Sequence, residues 1–362
     1  NRKVRAVIGR MRYTNRTGVI NQFEIDRAKA VADYYGVRLD ICDLSYSTTG
    51  PELLDKVKPL FRSQQFSSFA GINQWVIADF VAQTANGDEV LFNGEISDGA
   101  HNLGFSQLVT IFHPSSQDFR EYSDKMASYL FGPTFLQQLL AGKHGQDPVW
   151  QLFRQRAGNV LFDELSTDPV QCAKQLLSSF FLRSCRLPLY SIANTKLLTD
   201  NGRSAYAKEM EDTYLNEAAA AVTPETLYAW YLHLYNSFFW QGATVISRVH
   251  NALAHGLRSA MPFSDSRLIE FLSAMPESWG RGLDLKPTKY PLKCMLQNKI
   301  DYPTHLQVGP HSYLYDVDPS FSHMGEILFA SSFAPVFKDT LRSRKFQQWL
   351  DKDVFDHAYI EK

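Results

Sequence analysis

The sequence predicts an α/β fold, a small parallel sheet with crossover helices followed by a large helical part. Three observations predict it. Strand-like apolar runs recur at Val4–Ile8, Val37–Ile41 and Glu89–Phe92. Between them lie stretches whose apolar residues repeat at helical spacing. Beyond about His113 the strand pattern fades and helical periodicity dominates. Strands separated by helices of this length need crossover connections, and crossovers set neighbouring strands parallel.

The elements follow in order. After the first strand and a polar loop, Asn21 is placed to cap a helix that carries Ala28, Val31, Ala32 and Tyr35 on one face. Gly36 supplies its stop, and the second strand begins at once. A helix follows Pro51, with Leu53, Leu54, Val57, Leu60 and Phe61 apolar; another runs from Phe69 to Ala82. The third strand feeds a glycine-containing loop. Helical patterns then cover Phe119–Leu140, Val149–Gln155, Val170–Cys185, Ser204–Ala221, Pro224–Phe239 and Gly242–Leu257. Thr223 followed by Pro224 is a strong helix start. This divides the chain into an α/β core over residues 1–112 and a mainly helical part of the same domain over 113–362.

Bulk properties narrow the function classes. The 362 residues are 44% hydrophobic and 21% charged, as in ordinary globular proteins. A formal charge of -1 argues against a general nucleic-acid binder. No apolar run approaches the roughly 18 residues of a membrane span. Cys42, Cys172, Cys185 and Cys294 are scattered without metal spacing, which points to a reducing cytoplasm rather than a disulfide framework. No signal peptide opens the chain, and a core strand starting within a few residues of Asn1 predicts an upstream part.

The most informative stretch runs from Val90 to Phe105. A buried strand ends at Phe92 and releases the chain at the carboxyl edge of a parallel sheet, where ligands of open α/β sheets bind. Gly94 and Gly99 let backbone approach a ligand, and Glu95 and Asp98 place two carboxylates on a short loop. Such carboxylates suit Mg²⁺ bound to phosphate oxygens, and Ser97 with nearby N–H groups suits the phosphate itself. The same composition also describes a plain solvated turn.

This stretch resembles the second ATP-binding motif of the asparagine synthetase family, a Ser-Gly-Glu-Gly-Ser-Asp-Glu-Leu-Phe-Gly-Gly pattern. Gly94, Glu95, Ser97, Asp98 and Gly104 match it; Asn93 replaces the first Ser, Ile96 the middle Gly, and Gly99 the final Glu. A second stretch is similar to the family's His-Gly-Leu-Glu-x-Arg-x-Pro-Phe-Leu-Asp-x-Arg-Leu-x-Glu-Phe signature. His255, Gly256, Leu257, Pro262, Phe263, Asp265, Arg267, Leu268, Glu270 and Phe271 match in order. That segment also reads as a helix cap at Ser264 or Asp265 followed by a core face of Leu268, Ile269, Phe271 and Leu272. Downstream, Thr288 to Lys293 resembles the family's Lys-Tyr helix start, although Lys289 and Lys293 also read as solvated helix charges. The segment from Arg27 to Val37 resembles the family's first helix.

The resemblance implies a core like that of adenine nucleotide alpha-hydrolases, the PP-loop ATP pyrophosphatases. It implies an ATP- and Mg²⁺-dependent ligase that activates a small-molecule or peptide carboxylate as an acyl-adenylate. Ammonia or an amine then displaces AMP. Catalytic roles fall to Glu95, Asp98, Lys289 and His311, the last in place of a family lysine missing from Tyr302–Tyr313. The resemblance implies Glu95 and Asp98 as the metal ligands, and Ile8, Gly9, Met11, Gly94, Ser97 and Gly99 as the nucleotide contacts. The family's Ser-Gly-Gly-x-Asp-Ser loop does not occur in the chain, so an upstream segment or second chain is expected to supply it, with or without a glutaminase domain. A homodimer is among the assemblies allowed. Loss of the motif glycine, glutamate and lysine leaves a second reading open, a synthetase fold kept as a binding or scaffolding module.

Overall fold

A computed structural model describes residues 4–12, 18–46, 50–64, 70–85, 89–97, 129–130, 132–157, 166–168, 171–172, 174–175, 196–221, 245–279, 289–306 and 332–360, with positions 223, 226, 229–230 and 233. In chain order the first elements are β1 (Arg5–Met11), α1 (Gln22–Tyr34), β2 (Arg38–Leu44), α2 (Gly50–Gln64), α3 (Ala70–Thr84) and β3 (Val90–Phe92). Next come α4 (Pro133–Leu140), α5 (Pro148–Ala157) and α6 (Asp200–Met210), which continues through a π-helical turn at Glu211–Leu215 into α7 (Asn216–Ala221). The rest are α8 (Ile246–Ala254), β4 (Arg258–Ala260), α9 (Ser266–Ser273), α10 (Tyr290–Lys299), α11 (Ala334–Arg342), α12 (Arg344–Trp349) and α13 (His357–Ile360). The fold is mixed α/β, mostly helical, with a small amount of parallel sheet. No described helix is long and apolar enough to cross a membrane.

Two compact units emerge. The first comprises Asn1–Asn93, Ala243–Ala260 and Lys293–Ser343; the second comprises Gly94–Gly242, Met261–Leu292 and Arg344–Lys362.

In the first unit β1 pairs parallel with β2, from Arg5 opposite Arg38 to Met11 opposite Leu44. α1 makes the crossover, burying Ile25 and Ala32. The helix ends as its glycine predicts. Gly36 sits at φ 62, its N–H donates to the Asp33 carbonyl, and the Val37 N–H donates to the Ala32 carbonyl at 2.8 Å. This pair of bonds satisfies the last carbonyls of the helix and turns the chain directly into β2. The same device recurs at the end of α8, where Gly256 has φ 70 and Leu257 N–H reaches the Ala252 carbonyl at 2.8 Å. The chain then enters β4, which pairs parallel with β3.

The expected helix over Gly242–Leu257 therefore stops at Ala254, and β4 is a strand the sequence pattern does not announce. Arg258-Ser259-Ala260 has no apolar alternation, and it is a strand because β3 offers it a partner. Within the described residues the parallel pairing takes the form of two two-stranded sheets. They share apolar contacts: Val7 of β1 and Leu91 of β3 both pack on the cluster of Ala78, Val81, Ala252 and Leu257.

Asn21 precedes α1, but its side chain does not cap it. It turns to β1, accepting from Met11 N–H at 2.9 Å and donating to the Gly9 carbonyl at 2.8 Å. The amide thus imitates one residue of a neighbouring strand and satisfies backbone groups on the edge of β1 away from β2. At the opposite end of β1, the Arg5 guanidinium reaches Asp40 at 3.1 Å, Glu89 at 2.7 Å, Thr84 Oγ1 at 2.7 Å and the Val81 carbonyl at 3.2 Å.

The main apolar cluster of this unit contains Ile20, Cys42, Leu44, Tyr46, Leu53, Leu54, Val57, Ile72 and Phe333. Phe333 enters from far along the chain, and its neighbour Ser332 donates to the Tyr46 carbonyl and accepts from Gly50 N–H.

In the second unit, α4 and α5 bury Phe135, Leu136, Leu139, Val149 and Trp150. Asp147 joins them by capping α5 through Val149 and Trp150 N–H while accepting from Tyr129 Oη at 2.7 Å. The helix expected over Ser204–Ala221 starts earlier, at Asp200, where Thr199 accepts from Gly202 N–H. The helices expected over Val170–Cys185 and Pro224–Phe239, and the first half of Phe119–Leu140, lie largely outside the described residues.

Because both helix stops need a left-handed residue, Gly36→Ala and Gly256→Ala should each lose about 1–2 kcal/mol of stability. Urea denaturation checks this, and an unchanged midpoint for either variant would contradict the stop geometry.

Candidate functional site

β3 ends at Phe92, and Asn93 adds one more ladder bond by donating its N–H to the Ala260 carbonyl at 2.9 Å. Its side chain is held as firmly. Asn93 Nδ2 donates to Ser259 Oγ at 3.2 Å and to the Leu91 carbonyl at 3.4 Å, and Oδ1 accepts from Arg248 of α8 at 3.1 Å. The residue that stands where the motif has its first Ser is therefore the knot joining β3, β4 and α8.

From this knot the chain turns sharply. Ser97 N–H donates to the Gly94 carbonyl at 3.3 Å, closing a turn over Gly94, Glu95 and Ile96. Gly94 is exposed, and a Cβ there would meet nothing within 4 Å. Glu95 is half-buried, whereas Ile96 and Ser97 are buried. Ile96 has φ 71, a left-handed conformation for a β-branched residue. This is the position where the resembled motif carries Gly. The backbone there has the geometry a glycine takes readily, and it carries an isoleucine whose side chain is only 1% exposed. Holding such a residue there costs roughly 1–3 kcal/mol, supplied by the burial of its side chain.

The other predicted residues are distributed as follows. Ile8, Gly9 and Met11 lie on β1 in the first unit, whereas Gly94, Glu95, Ser97 and Lys289 belong to the second. Gly9 answers to packing: a Cβ would approach Leu44 Cδ1 to 2.7 Å. Met11 packs on the main cluster of the first unit. Lys289 has φ 55 and immediately precedes α10. Ile96 and Lys289 are thus the non-glycine residues with positive φ among those described, and each falls in a stretch singled out by its motif. Asp98, Gly99 and His311 lie outside the described residues.

The second motif stretch resolves into structural parts. His255 closes α8, with Nδ1 at 2.7 Å from the Asn251 carbonyl and its ring 4.8 Å from that of Trp75. Asp265 caps α9 by accepting from Arg267 N–H at 2.9 Å, and its carboxylate is gripped by the Arg267 guanidinium. Of the expected core face Leu272 is buried, but Phe271 is 51% exposed and leans on Trp279 instead. An eight-residue helix presents too narrow a stripe for all four side chains to point inward.

Among the described residues no group of three or more His, Cys, Asp or Glu could hold a metal ion. A magnesium nucleotide site needs no such group, because Mg²⁺ there uses one or two carboxylates with phosphate and water completing its shell. Glu95, half-buried beside an exposed glycine, fits that donor role. Cys42 does not fit a nucleophile's role, since burial pushes its thiol up to about 11.

Sequence reasoning missed Arg248 and Asn21. Each is a single polar residue in a stretch without a motif, and only the fold brings it to a strand end. Comparison of the chain with family models, with curated proteins and with solved structures gave no match.

The side-chain and backbone N–H bonds from Arg267 hold the Asp265 carboxyl down to about 2, from an ordinary 3.8. A depressed folded value means that the cap's contribution is complete above about pH 4 and is lost as pH falls through about 2. An NMR titration should place the Asp265 midpoint near 2 and return it to the ordinary range in Arg267→Gln; an ordinary midpoint in the unsubstituted protein would contradict the pairing.

Proposed function

We propose that this chain is the synthetase part of an ATP-dependent amide ligase, with the Asn93–Ser97 turn as its phosphate side. The observation that carries the reading is the turn itself. It leaves the carboxyl end of a parallel strand, the general location of ligand sites in α/β sheets, and it holds Ile96 in a conformation that backbone preference opposes. Strain of this kind gathers at ligand-binding positions, where the surrounding structure is built to enforce it. The motif resemblances at Gly94–Asp98 and at His255–Phe271 supply the reaction class.

The chemistry has two steps. A carboxylate oxygen of the substrate attacks the α-phosphorus of ATP, and pyrophosphate leaves. Ammonia or an amine then attacks the acyl carbon, AMP leaves, and the nitrogen gives up a proton. Mg²⁺, when bound, neutralises phosphate charge. In this scheme Glu95, with Asp98, orients the metal-bound phosphates, Gly94 and Ser97 bring backbone close to them, and Lys289 meets the developing negative charge.

A second reading, a synthetase fold kept as a binding module, is favoured by one feature. The position where the resembled motif has glycine carries Ile96, whose buried side chain departs from the pattern on which the ligase reading rests.

Carboxylate-dependent exchange of labelled pyrophosphate into ATP separates the two. The ligase reading predicts exchange by the full-length protein with amino-acid, uronate or peptide carboxylates, and a loss of roughly 10²-fold or more in Glu95→Gln. Tight MgATP binding with no exchange for any carboxylate class would instead favour the binding module.

A further inference from the structure

Within the first unit, β1 and β3 each have one bare edge. Alternate residues of a parallel strand turn their N–H and C=O groups to opposite sides. Arg12 N–H reaches the Leu44 carbonyl, so the even-numbered residues of β1 serve β2 and the odd-numbered ones face away. On that far side Ile20 and Asn21 take up Met11 N–H, the Met11 carbonyl and the Gly9 carbonyl. Among the described residues nothing pairs with Val7 N–H, the Val7 carbonyl or Gly9 N–H. In β3, Asn93 N–H reaches the Ala260 carbonyl, so Leu91 serves β4 while Val90 and Phe92 face away, again with no main-chain partner among the described residues. Side chains are bare there too: Phe92 is 74% exposed and Val90 36%, and no residue of β1 is fully buried. Both edges border one apolar cluster, since Val7 and Leu91 rest on Ala78, Val81, Ala252 and Leu257, and Arg5 of β1 reaches Glu89 beside β3. Yet β1 and β3 do not pair.

We propose that β1 and β3 flank a groove for an extended segment of a second polypeptide, which adds to both sheets as a strand through its main chain. Backbone N–H and C=O groups are obligatory bonding groups, and a strand seated about 4.8 Å from each edge satisfies both edges at once. Ile20 and Asn21 close the carboxyl end of the β1 edge, so the segment pairs between Arg5 and Gly9. Side chains on one of its faces meet Ala78, Val81, Ala252 and Leu257, which calls for apolar residues at alternate positions. Asn21 argues for a separate chain as the occupant. A strand built permanently into the sheet would run the length of β1 and leave that amide nothing to bond. A side chain 1% exposed that stands in for a strand keeps the edge ordered whether or not a segment is seated beside it. The proposal is independent of the nucleotide reading.

The test is residue-resolved amide hydrogen exchange of the full-length protein by NMR, without nucleotide. The probe is an end-blocked peptide of about seven residues, with valine at alternate positions and threonine and lysine between them. A copy N-methylated at alternate residues cannot pair along one edge and serves as the control. The peptide is expected to slow exchange at Val7, Gly9, Val90 and Phe92 by roughly tenfold or more, while Ile8 and Arg10, which already serve β2, stay unchanged. The N-methylated copy is expected to have no effect. If those four amides are already as slow as Ile8 and Arg10 without peptide, the protein's own chain fills the groove and the proposal is overturned. Slowing that tracks dimer formation as protein concentration rises would assign the groove to a second copy and overturn it equally. So would unchanged exchange at the highest soluble peptide concentration, or slowing spread equally over Ile8 and Arg10, which marks general stabilisation.

Discussion

Arg5 is the interaction on which the first unit depends. One guanidinium, 17% exposed, bridges Asp40 on β2 and Glu89 just before β3, and it closes the last turn of α3 through the Val81 carbonyl and Thr84. The two sheets of this unit are thereby tied at their amino ends. A cation shared between two carboxylates and a helix C-terminus is favoured on every side, since the carbonyl end of a helix carries partial negative charge. The strand-mimicking amide of Asn21 and the knot at Asn93 both lie at carboxyl ends.

Both sheets are fed by the same local chemistry. A parallel strand following a helix needs the chain to stop helical bonding and reverse within two residues, and a left-handed glycine with two back-bonds does this. Tyr35-Gly36-Val37 states that need openly, because an amphipathic helix precedes it and an apolar strand follows. His255-Gly256-Leu257 states only half of it. The helix and its stop are visible there, but the strand after them is Arg258-Ser259-Ala260, whose identity comes from its partner rather than from its own residues. Local periodicity reveals elements that bury their own apolar face; it is silent on those made by pairing.

The site follows the same division. The turn after β3 can be read from glycines, a serine and acids following an apolar run, because those residue types are what a close backbone approach requires. That Ile96 keeps the left-handed geometry is not readable, since isoleucine by composition argues against it. Nor could Asn21 be assigned correctly: a helix-capping asparagine and a strand-mimicking one look alike before the fold sets which backbone groups are unsatisfied. Arg248 is hidden for a plainer reason, being one cation on a helix whose neighbours carry no pattern. The cap of α9 was legible to within one residue, Ser264 or Asp265, because a short polar side chain before an apolar helical run suits either position, and the fold selects Asp265.

The central claim is that the Asn93–Ser97 turn is where phosphate binds. Amide hydrogen exchange of the full-length protein, with and without MgATP, reads that turn directly. The account predicts that MgATP slows exchange across peptides spanning residues 90–97 and the paired residues 258–260, and that adenosine alone leaves the turn unprotected. Protection confined to other parts of the chain, with the turn exchanging at its ligand-free rate under saturating MgATP, would contradict it.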